Sequence, residues 1–383
     1  MLVEILSRQN IKGSTLEEAQ KASGPALDAL WRTHWIKDSV MKKDVALLAP
    51  LKDFADEIAE SSDCVVITAG RQEALAIRAA LAAVPAEEGR PEVIVCEPTF
   101  SPSWYGDLFE KLEGRRCVQL AVTAGAEDLL LRCAYATVKR FIFENGRNVP
   151  GNVLESEEHS RVYAVCGRGS TVIAQDAQEN DYPAISLDDT VDPMYLANTA
   201  AVLLPVLIRG GDGAAFLEGF GEVVAAPDWD ISATAYAYIR AGFERSCTAG
   251  VPTFFAESWQ QEYGAMAEWA AGFSGGMLRR PLSMPTEKML RDSCYAKARL
   301  EILIGAEESA EDLMTPPFEG CDPDGSLQLL LKAEKEHDFY DELLGGEGFE
   351  FKVEQADAAG AGALMAFLQM SEGIAAWLAA HGE

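Results

Sequence analysis

The feature that most constrains this chain is a series of short apolar segments that do not alternate in polarity. Val65–Thr68 reads VVIT, Glu92–Glu97 EVIVCE, Cys117–Val122 CVQLAV and Val162–Cys166 VYAVC. A strand buried on one face alternates apolar and polar residues, whereas an unbroken apolar run marks a strand covered on both faces. Each run is followed by a helical stretch: from Arg71, over Ser103–Leu112, over Glu127–Glu144 and after Ser170. Strands and helices in strict alternation predict a parallel sheet sandwiched by helices, an α/β fold of three layers.

The second half repeats this style less regularly. VPTFFA (Val251–Ala256), RLEILIG (Arg299–Gly305) and FEFKVE (Phe349–Glu354) are strand candidates, and an amphipathic helix is expected over Ala363–Ala380. The acidic stretch GAEESAEDLMTPPFEGCDPDG, rich in Pro, Gly and Asp, predicts a surface loop. Ahead of the first strand, the pattern from Thr15 to about Glu60 is helical, opened by STLEE, where Ser14 or Thr15 is placed to cap the backbone. Trp31 and Trp35, one turn apart, predict a buried stripe. The expected organisation is a helical arm over 1–60, an α/β lobe over 61–212 and a second lobe over 213–383 that closes with the last helix.

Composition narrows the partners. Against 32 Lys and Arg stand 61 Asp and Glu, a formal net charge of −29 with no basic run, so nucleic acid and anionic membrane are poor partners. The start, MLVEILSRQN, lacks the basic opening and long apolar core of a secretory signal, and no window is expected to reach the roughly 18 apolar residues of a membrane span. A cytoplasmic location is the expectation. The 8 cysteines include no Cys-x-x-Cys pair, and Cys64, Cys96, Cys117 and Cys166 fall in predicted strands as reduced, buried hydrophobes. Neither a cofactor nor a metal is expected: the four histidines, His34, His159, His337 and His381, have no second ligand at metal spacing.

From about Val65 to Leu378 the chain resembles phosphoglucose isomerase, the two-lobed sugar-isomerase (SIS) fold. TVDPMYLANTAAVLLPVLIRGGD (Thr190–Asp212) aligns without a gap to the family segment that opens Gly-Gly-Arg-Phe-Ser, with Leu203, Leu204, Pro205, Gly210 and Asp212 matching. FAESWQQEYG (Phe255–Gly264) is similar to the family's strand-to-helix stretch with its paired aromatic and Gln positions. The resemblance implies two SIS-type lobes, a homodimer and a sugar-phosphate ligand.

The residues at the family's chemical positions differ. Aldose–ketose isomerisation needs a carboxylate to carry a proton, a cation to steady the enediolate and a group to open the ring. The resemblance places the carboxylate at Ala265 and the cation at Met194, and no histidine occurs between His159 and His337 for ring opening; Thr286-Glu287 in MPTEKML is the nearest match to that motif. The family's late Lys follows a turn that this chain does not reach. Where the family's phosphate loops carry Ser and Thr, this chain has VITAGRQ, which keeps Gly70, and Thr123-Ala124-Gly125-Ala126-Glu127. Glu127 and Asp128 add charge of the wrong sign for a phosphate. Thr68, Gly70, Arg71, Gln72, Thr123, Gly125, Arg168 and Ser170, on three strand-to-helix turns, are the candidate ligand-binding residues, although each turn also reads as a plain connection.

Two functions stay open. One is a degenerate phosphoglucose-isomerase-like protein that binds a sugar phosphate or another small anion without isomerising it. The other is an active sugar-phosphate isomerase of the glucose 6-phosphate/fructose 6-phosphate type with substitute residues: Glu257, Glu262 or Glu268 as base and Arg168 or Arg291 as cation, side chains that also read as solvated helix faces. A DNA-binding regulator built on an SIS lobe is excluded by the lack of a basic recognition helix.

Overall fold

The structure is a computed structural model that describes residues 3–7, 13–30, 32, 45–125, 127–146, 160–167, 171–188, 191–225, 231–246, 253–258, 260–273, 299–308 and 347–381. Chain contacts divide it into two compact units, Lys37–Leu217, and Met1–Ile36 together with Glu218–Glu383.

The unit Lys37–Leu217 is built on a five-stranded parallel sheet in the order β3-β2-β4-β5-β6, formed by β2 (Cys64–Ala69), β3 (Glu92–Cys96), β4 (Cys117–Thr123), β5 (Val162–Gly167) and β6 (Ala184–Leu187). The apolar runs of β2 and β4 are buried at every position, as strands covered on both faces must be. β3 departs from that expectation. It is an edge strand with Glu92 exposed and its next three residues only half-buried. One face of the sheet is covered by α4 (Pro102–Leu112), α5 (Leu129–Gly146) and α6 (Val172–Glu179), through clusters joining Cys64, Val66 and Cys117 to Leu108, Leu112 and Val138, and Ala164 and Cys166 to Leu131 and Ile173. Toward the other face lie α2 (Val45–Ser61), α3 (Arg71–Ala83) and α7 (Ala200–Ile208). There Phe54 of α2 meets the ring of Tyr163 edge-on, Tyr163 donates to Glu57, and Arg209 donates to the carbonyl of Leu81 at the end of α3.

The other unit carries a four-stranded sheet, β1-β9-β8-β7, from β1 (Val3–Ser7), β7 (Thr253–Glu257), β8 (Arg299–Glu308) and β9 (Glu347–Gln355), in which β7, β8 and β9 are parallel and β1 is antiparallel to β9. Among the described residues its helices are α1 (Gly13–Leu30), α9 (Ile231–Ser246), α10 (Gln261–Gly272) and α11 (Ala358–His381), and the division between the units falls within α8 (Gly213–Ala225). The fold is the expected one: three-layer α/β units with mainly parallel sheets, N-terminal helices and a C-terminal helix.

Four local expectations are corrected. The chain opens with the strand β1 rather than a wholly helical arm, and α1 begins at Gly13, so Ser14 and Thr15 lie inside the helix instead of capping it. The last helix starts five residues earlier than expected and is buried almost all round rather than amphipathic: 358, 360–375 and 378 are out of water. By length and composition it could cross a membrane, yet 78% of its apolar window is buried, packed against α1, α9 and β9. Trp31, Trp35 and most of the acidic loop from Gly305 lie outside the described residues.

Candidate functional site

In a parallel sheet of this order the chain passes from β2 outward to β3 and from β4 in the opposite direction to β5, so the loops after β2 and β4 diverge and leave a crevice at the carboxyl ends of the strands, where open α/β sheets bind ligands. The turns at Gly70 and Gly125, singled out from the sequence, meet at this point. Gly70 is the N-cap of α3, with φ −60° and ψ 164°, and no side chain caps the helix from that position. Pro193 is drawn in beside them, since its Cγ lies 2.9 Å from where a Cβ on Gly125 would stand. The segment Asp192-Pro193-Met194 therefore borders the crevice. Met194 is half-buried, and its backbone N–H donates to Asp192 Oδ1 at 2.9 Å.

Two of the hydroxyls expected to meet a ligand, those of Thr68 and Thr123, are engaged elsewhere. Thr68 is fully buried and its Oγ1 accepts from Gln119 Nε2 at 3.0 Å, while Thr123 is 1% exposed and donates to the carbonyl of Gly125 at 3.3 Å. Arg71 is exposed and Gln72 half-buried at the first turn of α3.

The crevice holds a carboxylate instead. Glu73, third residue of α3, is 5% exposed, and its Oε1 accepts the backbone N–H of Ala124 at 3.1 Å across the switch from β2 to β4. A Cβ on Gly70 would run into its Oε2, so the carboxylate lies directly over this glycine and would have to shift to admit a side chain there. Burial raises the Glu73 pKa above the usual carboxylate range, opposed by hydrogen bonds from the backbone of Glu73 and Ala124 and reinforced by the charges of Asp128 and Asp192.

The loop after β4 repeats the arrangement one strand along. The Glu127 carboxylate has no exposed surface and accepts the backbone N–H groups of Val172 at 2.8 Å and Ile173 at 3.0 Å, the first two amides of α6. Thr171 Oγ1 takes the third, from Ala174 at 3.2 Å, and Arg132 Nε lies 3.7 Å from Glu127 Oε2. Asp128 Oδ1 accepts from Leu131 N at 2.7 Å in the first turn of α5. Helix amino termini attract anions through their unpaired N–H groups and dipoles. Here the chain's own carboxylates take those groups.

Of the remaining expected residues, Arg168, Ser170 and Arg291 lie outside the described residues, and the side chain of Glu257, at the end of β7, is likewise not described. Ala265, Glu262 and Glu268 are half-buried on α10 in the other unit. In that unit the Gln260 side-chain amide donates to the carbonyl of Ala306 at 3.2 Å and accepts its N–H at 2.7 Å. This gives a structural task to the first Gln of the stretch Phe255–Gly264. Among the described residues, no group of three His, Cys, Asp or Glu is placed to hold a metal ion.

Sequence reasoning missed Glu73. Its signal was there, an acid at the third helical position after a glycine N-cap, but its burial depends on a loop 51 residues later.

No family model matches the chain. Over 267 residues it is 23% identical to the glucose-6-phosphate isomerase of Streptococcus thermophilus, an alignment covering 64% of this chain and 57% of that protein. The chain thus spans little more than half the length of the curated relatives it matches. Among solved structures, a hypothetical protein of Thermus thermophilus superposes with a TM-score of 0.76 at 16% identity, over 95% of this chain and 91% of that one. A glucose-6-phosphate isomerase of Chlamydia trachomatis gives a TM-score of 0.74 at 11% identity, over 99% and 84%. The chain resembles glucose-6-phosphate isomerase in sequence and has the sugar-isomerase fold.

Proposed function

We propose that this chain is a phosphoglucose-isomerase-like protein that keeps the family's fold and crevice but does not interconvert glucose 6-phosphate and fructose 6-phosphate. The observation that carries this reading is the position of Met194. Pro193 packs against Gly125 and so brings to the crevice the segment that the resemblance aligns with the family's cation. What arrives is a half-buried thioether with Asp192 beside it, and an enediolate gains nothing from either. The base position, Ala265, has no group to carry a proton. Losses of this kind each remove about 10²-fold or more in rate.

The test is a coupled assay on the purified protein with both sugar phosphates. No turnover above background is expected. A rate within the roughly 1–10³ s⁻¹ of working enzymes would overturn the reading in favour of an isomerase with substitute residues.

A further inference from the structure

We propose that Glu73 closes the crevice to phosphate: its carboxylate occupies the place of an oxyanion between α3 and the loop after β4, and a small residue at this position opens it. The proposal deepens the functional reading above, on which its choice of ligand rests, but its test uses binding and not catalysis.

Three observations support it. The carboxylate is 5% exposed, so it lies inside the crevice rather than at its mouth. It accepts the N–H of Ala124 from across the crevice, which is how a ligand oxyanion would bridge the two loops. Its second oxygen fills the volume directly over Gly70, a backbone in ordinary extended geometry where the lack of a Cβ serves space and not conformation.

The neighbouring Glu127 serves as an internal comparison. It ties up the first two amides of α6 in the same manner, so two adjacent strand ends of one sheet are each closed by an acid from the chain itself. A phosphate dianion arriving at Gly70 would face the charges of Glu73, Asp128 and Asp192 together, with Arg71 as the exposed cation on the same turn. Removing Glu73 removes the buried one of those three carboxylates. Asp128 and Asp192 are exposed and screened by salt.

The experiment is isothermal titration of inorganic phosphate, at neutral pH and physiological salt, into wild type, Glu73→Ala, Glu73→Ser and Glu73→Gln, with folding of each checked by circular dichroism. Saturable binding is expected in the Ala and Ser variants and none in wild type or in the Gln variant, whose amide keeps the shape of the plug. Adding Gly70→Ala to Glu73→Ala returns a methyl group to the vacated volume and should abolish the binding. The proposal is overturned if wild type binds phosphate as well as Glu73→Ala does, if folded Ala and Ser variants both bind none, or if binding survives Gly70→Ala. Isomerase turnover in wild type would sink the functional reading yet leave these titrations to be judged by themselves.

Discussion

Arg240 Nε lies 3.3 Å from Glu372 Oε2, with the two side chains 1% and 5% exposed, so α9 and α11 share an ion pair almost wholly out of water. Tyr236, one turn before Arg240, donates to the other carboxylate oxygen at 2.7 Å while its ring packs edge-on against Phe349 and Phe351. A buried pair of this kind adds little over a well-packed apolar substitute, but removing one partner strands the other charge. Glu372→Ala should therefore cost about 3–5 kcal/mol in urea unfolding. Glu372→Leu combined with Arg240→Met should recover a large part of that loss.

A steric prediction concerns the same helix. A Cβ on Gly219 of α8 would collide with the backbone carbonyl of Ala359 at the start of α11. Backbone cannot swing aside as a side-chain tip does, so Gly219→Ala should destabilise by about 1–3 kcal/mol, as overpacked sites do. Gly221→Ala on the same helix, where a Cβ meets nothing within 4 Å, is the control and should be neutral or slightly stabilising.

Glu127→Ala removes the acceptor from two amides of α6. Hydrogen bonds to a charged acceptor contribute roughly 1.5–3 kcal/mol each, and water recovers part at this helix end, so a loss of about 2–4 kcal/mol is expected. Hydrogen exchange should show faster exchange at Val172 and Ile173.

The pH dependence of Glu73 has a definite sign. Its folded-state pKa is raised from 4.5, mainly by burial, so the folded protein binds the proton more tightly than the unfolded chain does. The stability that this proton contributes is fully present below the unfolded value and is lost as pH rises through the folded one. Glu73→Gln keeps the shape and the acceptor for Ala124 without titrating. The melting temperature of wild type minus that of Glu73→Gln should therefore fall as pH rises above about 4.5. A flat difference would place the carboxylate in water.

Restoring Met194→Arg and Ala265→Glu together should yield no isomerase activity in a coupled assay, because the ring-opening group is still missing and Glu73 still fills the crevice. Since Met194 is half-buried rather than enclosed, a guanidinium there can reach water, and the melting temperature should change little.

Strands β2, β4 and β5 were legible because burial on both faces writes itself into every residue of a short run, as CVVITA shows. β1 and β6 were not. VEILS and AISL are short segments at sheet edges, where partners rather than composition decide the strand, and AISL has only four residues. The last helix was misjudged because its alanines and glycines look weakly amphipathic, and only the packing of α1, α9 and β9 around it makes every face an inner face. At the crevice, glycine positions were legible from the strand-to-helix pattern. The role of Glu73 was not, because RQEALAIR reads as a charged helix face until β4 is placed beside it.

A carboxylate carried by the chain itself also changes what keeps these loops in order. A pocket shaped around a metabolite firms up as that metabolite accumulates, and the lifetime of the folded protein then follows the supply of its guest. With Glu73 on Ala124 and Glu127 on Val172 and Ile173, the guest's share of the bonding is covalently attached. On the reading proposed for Glu73, the order of these loops does not depend on any ligand being supplied, and the melting temperature should not follow added sugar phosphate.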